Sequence, residues 1–75
     1  MDAKGTAMKL FRIEFDKFDA EANGSSAQDA LVNYLAAEQA DALVSFAGVE
    51  DDGLVFDVRA EGAFCGEAKV YPVRS

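Results

Sequence analysis

A chain of 75 residues that is 51% apolar, with six Phe and two Tyr, can build the core of one small domain and lies outside the composition of disordered proteins. Fourteen Asp and Glu against seven Lys and Arg give a net charge of −7, and the absence of histidine excludes Ser-His-Asp and Cys-His nucleophile systems. A single cysteine, Cys65, excludes an internal disulfide, and no uncharged stretch approaches the roughly 20 residues of a membrane helix.

Met1 to Ala7 lacks an apolar signal region and reads as a flexible leader, so the domain is expected over residues 8–75 of a cytoplasmic protein. Phe11, Ile13 and Phe15 alternate with Arg12 and Glu14, which predicts a first strand over Met8–Phe15. Asp16 to Gly24 either extends this strand or turns, with Phe18 as its anchor, and Ala22-Asn23-Gly24-Ser25 has the composition of a loop. Ser25 and Ser26 offer helix caps, with Gln28 or Asp29 three residues on. A helix then runs from Ala27 to about Ala40, with Ala27, Ala30, Leu31, Tyr34 and Leu35 on its inner face and its small alanines allowing a close approach to a sheet.

Leu43–Val49 and Leu54–Ala60 are β-rich runs joined by Glu50-Asp51-Asp52-Gly53. A three-residue loop with Gly53 in the left-handed region would set Glu50 opposite Leu54, Gly48 opposite Phe56 and Phe46 opposite Val58, with Phe46, Phe56 and Val58 on the core face. After a turn at Glu61-Gly62, Phe64–Val70 forms a last strand with Phe64, Ala68 and Val70 inward and Cys65, Glu67 and Lys69 outward; Pro72 suits an edge. The expected fold is α+β, one helix packed on a four-stranded, mainly antiparallel sheet in the order β-α-β-β-β. The last three strands form a meander. The first strand lies either beside its middle member or beside an outer one.

The charge is segregated. Between Phe18 and Arg59 there are nine carboxylates and no Lys or Arg, while all seven basic residues lie in the terminal segments. Direct nucleic-acid binding is disfavoured by so few cations, whereas an acidic body can occupy a basic groove that receives nucleic acid. Asp29 and Glu38, about 13 Å apart along the helix, with Asp41 and the hairpin acids Glu50, Asp51 and Asp52, are the expected partner contacts. Glu50-Asp51-Asp52-Gly53 lacks the alternating ligands of a calcium loop, so it reads as a solvated tip, and no catalytic residue, cofactor or metal is expected.

The opening Met-Lys-Leu-Phe-Arg-Ile-Glu-Phe strand, the Ser26-Ala27-Gln28-Asp29-Ala30 helix start, the Asp51-Asp52-Gly53 hairpin and the excess of carboxylates resemble the small acidic inhibitors carried by bacteriophages. The likeness is to anti-CRISPR proteins that act on multi-subunit Cascade effectors. It implies a non-catalytic protein that binds a basic surface of a host nucleic-acid-binding complex and blocks target DNA, with DNA mimicry as one route; separately, a monomer is expected rather than a dimer. The alternative is an interaction module or homodimeric adaptor that binds through a sheet face or edge, with Cys65, Tyr71 and Val73 at the contact.

Overall fold

The computed structural model describes residues 8–73. Its elements are β1 (Lys9–Glu14), β2 (Asp19–Gly24), α1 (Ala27–Ala37), β3 (Leu43–Glu50), β4 (Gly53–Arg59), a 3-10 turn (Gly62–Phe64) and β5 (Gly66–Pro72). The five strands form one antiparallel sheet in the order β2-β1-β5-β4-β3. The α+β class and the β3-β4-β5 meander agree with expectation. The number of strands does not. The leader and the last two residues lie outside the described residues.

The additional strand is β2. Its sequence, Asp-Ala-Glu-Ala-Asn-Gly, does alternate, but its inward residues are the smallest available, so it lacks the branched and aromatic side chains that announce a strand. Pairing with β1 forms it, Phe11 opposite Ala22 and Ile13 opposite Ala20, through a turn closed by Phe15 N–H donating to the Phe18 carbonyl at 2.8 Å. β1 also pairs with β5, the outer member of the meander, so β5 is central and Pro72 closes its end opposite Phe11 rather than marking an edge.

α1 starts where the capping pattern places it. Ser26 Oγ accepts from Asp29 N–H at 3.1 Å, and the Asp29 carboxylate accepts from Ser25 N–H at 2.8 Å. Ala27, Ala30, Leu31 and Leu35 are buried, and Tyr34 packs at the margin of the core. The helix ends three residues earlier than expected, in a Schellman arrangement: Ala40 N–H donates to the Leu35 carbonyl and Gln39 N–H to the Ala36 carbonyl, with Gln39 at φ 58°. Glycine is the usual occupant of that left-handed position, so Gln39→Gly is expected to stabilise the domain by about 1 kcal/mol in urea denaturation, and a loss of stability would contradict this helix end.

The hairpin register also differs. The loop has two residues, Asp51 and Asp52, and Asp51 takes the left-handed conformation, φ 51°. Glu50 therefore opposes Gly53, Val49 opposes Leu54 and Gly48 opposes Val55; after a bulge at Ala47, Phe46 opposes Phe56 rather than Val58, and Val44 opposes Val58. Gly53 sits in a tight place: a Cβ there would stand 3.1 Å from the Val70 carbonyl oxygen, close enough that the neighbouring strand would have to shift slightly. Phe64, expected in the last strand, sits in the 3-10 turn and joins Phe15, Phe18 and Tyr34 in an aromatic cluster with centroids 4.7 to 6.1 Å apart.

Candidate protein-interaction surface

The strand directions decide where the acids go. β1 and β4 run one way and β2, β3 and β5 the other, so the β3–β4 tip and the start of α1 share one end of the sheet, at opposite borders. The end of α1 and the loop into β3 lie at the other end. Glu50, Asp51, Asp52 and Asp29 are thereby separated from Glu38 and Asp41, so the six expected contacts do not form one continuous stripe.

Two of the midsection acids are paired with cations from the terminal segments. Arg12 bonds Asp19 at 2.7 Å, and Lys69 Nζ bonds Asp51 at 3.3 Å. The register places Asp19, Glu21, Glu50 and Asp57 on the sheet face away from α1, together with Arg12, Lys69 and Arg59. Segregation along the sequence is thus partly undone in the fold, and that face is mixed in charge. Asp29 is occupied at the helix start by Ser25 and by Asn33 Nδ2 at 3.4 Å, which makes it a structural group rather than a free contact.

Tyr71 lies on the mixed face and donates its hydroxyl to Glu14 Oε2 at 2.5 Å. Its phenol pKa is raised, first because ionisation would break this hydrogen bond, then by desolvation and by the Glu14 charge; that of Tyr34 is raised by burial and then by Glu38. The fold thus favours both neutral phenols. That contribution is complete below the unfolded value of about 10 and is lost as pH rises through the higher folded values. An alkaline titration followed by phenolate absorbance should find both tyrosines ionising later than free tyrosine, with Glu14→Ala lowering the midpoint of Tyr71 alone; an unmoved midpoint contradicts the pairing. Tyr71 and Val73 lie at the far end of β5 from exposed Cys65, so the three do not form one contact.

The sequence reading missed the apolar part of the surface. α1 packs against β2, β1 and β5, and β3 lies beyond its cover. Phe46, expected in the core, is on the helix-side face but 58% exposed, and Val49, brought to that face by the bulge, is 71% exposed. On α1, Val32 is 44% exposed, and a groove of about 160 Å³ between the helix and the start of β3 is lined by Val32, Leu35, Ala36, Ala40, Asp41, Ala42 and Val44. A signal was present in β3, whose Leu43, Val44, Phe46, Ala47 and Val49 are apolar at both parities, although the strand borders the sheet.

Compared with known proteins, the chain matches no family model, no curated protein and no solved structure. The likeness to small acidic inhibitors therefore rests on size, charge and local sequence. Among the described residues no helix is long and apolar enough to cross a membrane, and no group of three or more His, Cys, Asp or Glu is placed to hold a metal ion. The arrangement on β3 and its hairpin is suited to contact: an exposed apolar strip with Asp41 before it and Asp52 after it, and Glu50 at the same tip on the other face.

Proposed function

We propose that this protein is a non-catalytic binding domain that docks on a basic surface of another protein through the outer side of the β3–β4 hairpin. The observation that carries the reading is the placement of Phe46 and Val49, exposed and apolar, on the same hairpin as Glu50 and Asp52, in a chain with net charge −7. Apolar contact supplies affinity, while the flanking carboxylates steer approach and choose a cationic partner. Glu38 and Asp41, at the far end of β3, extend the acidic margin; Asp51 is engaged by Lys69 and contributes less.

Where the basic surface normally receives nucleic acid, docking excludes the polynucleotide. This is the inhibitor reading, with a Cascade-type effector in the host cytoplasm as the target class and the monomer as the acting species. A gel-shift titration of target duplex on a purified Cascade-type effector tests it. Added protein should release the duplex, and Glu50→Lys with Asp52→Lys should raise the required concentration at least about tenfold, equivalent to about 1.4 kcal/mol. Duplex retained at saturating protein would overturn the inhibitor reading.

A further inference from the structure

The sheet has five strands and one covering helix, and that helix lies toward the β2 border. On the same face, the strip along β3 has room for a second helix parallel to the sheet. Phe46 and Val49 form its floor toward the hairpin, and the groove beside Val44, walled by Val32 of α1, continues it toward Asp41. The geometry points to an amphipathic basic helix of the partner protein as the occupant, seated beside α1 so as to complete a two-helix layer. This inference rests on the docking reading above and names the element that docks.

Three observations select this occupant. Val44, Phe46 and Val49 are apolar and follow one another along one face of β3, which suits side chains recurring at helical spacing along one face. Asp41 precedes the strip and Asp52 follows it, while the nearest cations, Arg59 opposite Leu43 and Lys69 bonded to Asp51, project from the sheet face away from α1. A helix with cationic ends therefore meets opposite charge at both, whereas a second copy of this acidic chain would bring like charges together. The bulge at Ala47 interrupts the regular ladder of β3, which disfavours addition of a partner strand along that border. Eight residues of β3 at about 3.3 Å each span about 26 Å, the length of a helix of about 17 residues.

The probe is a synthetic amphipathic peptide of about 17 residues with one leucine face and lysines elsewhere, its labelled form followed by fluorescence anisotropy against the full chain. A matched peptide with glutamates in place of the lysines is the control. Binding of the lysine peptide, at least tenfold weaker for Phe46→Ser with Val49→Ser and at least tenfold weaker for the glutamate peptide, is expected. Methyl resonances of Val32 and Val44 should shift on binding, and circular dichroism of the double variant should match the parent. Unchanged affinity of that variant, or shifts at Val55 and Tyr71 on the other face instead, would overturn the helix site while leaving the acidic docking reading to the gel-shift result. A stable dimer in light scattering that Phe46→Ser with Val49→Ser dissociates would also overturn it, in favour of a second copy as the occupant.

Discussion

Gly24→Ala should unfold or severely weaken this domain. A Cβ at Gly24 would stand 2.3 Å from the Ala30 nitrogen, 2.6 Å from its Cα and 2.9 Å from its Cβ. Two of those three atoms are helix backbone, so no rotamer change relieves the clash and α1 must lift from β2. Lifting also strains the hydrogen bond from Asn33 Nδ2 to the Asn23 carbonyl, 3.0 Å long, and opens the seat of Leu31. Overpacking costs typically 1–3 kcal/mol, and about 3 kcal/mol or more is expected here because the obstacle is rigid. Against a total stability of about 4–11 kcal/mol for a domain of this size, the melting temperature should fall by at least about 12 °C. Ala30→Gly in the same chain should not rescue it, since the nearest atoms remain. An unchanged melting temperature for Gly24→Ala would contradict the helix position.

Phe56→Ala should cost about 3–5 kcal/mol, while Phe46→Ala should cost about 1 kcal/mol or less. The two rings oppose one another on the same face, 5.8 Å apart and edge to face, yet Phe56 is 1% exposed and Phe46 is largely in solvent. Removing the buried ring leaves a cavity in the core; removing the outer one leaves no cavity and uncovers only the side of Phe56 that it packs against. Urea denaturation of the two variants measures the contrast directly. Equal losses would mean that Phe46 belongs to the core and is not available for binding.

Much of this was legible because burial imposes periodicity. Phe11, Ile13 and Phe15 marked β1, the spaced Ala and Leu residues marked α1, and Ser26 with Asp29 marked its start. β2 was obscured because the close approach of α1 demands Ala20, Ala22 and Gly24, residues that carry little strand signal of their own. The hairpin register was missed because Asp51, rather than Gly53, accepts the left-handed conformation, and because the bulge at Ala47 absorbs one residue.

The site was less legible than the fold. Asp29 was identified both as a cap and as a contact, and its hydrogen bonds to Ser25 favour the cap. The pairing of Arg12 with Asp19 and of Lys69 with Asp51 joins residues distant in sequence, so a one-dimensional count of charges overstated the isolation of the acids. The exposure of Phe46 and Val49 depends on which border of the sheet the helix covers, a property of topology that no local pattern carries.

The proposed docking depends on the position of the carboxylates rather than on bulk charge. Duplex release from a Cascade-type effector should be compared at low and high salt for three proteins of known charge: the parent, Glu50→Lys with Asp52→Lys at the hairpin, and Glu21→Lys with Glu67→Lys on β2 and β5, remote from the hairpin. All should weaken with salt as the Debye length contracts to about 8 Å at physiological ionic strength. Only the hairpin pair should lose release by about tenfold or more; equal losses from both pairs would mean that bulk charge, not position, governs docking.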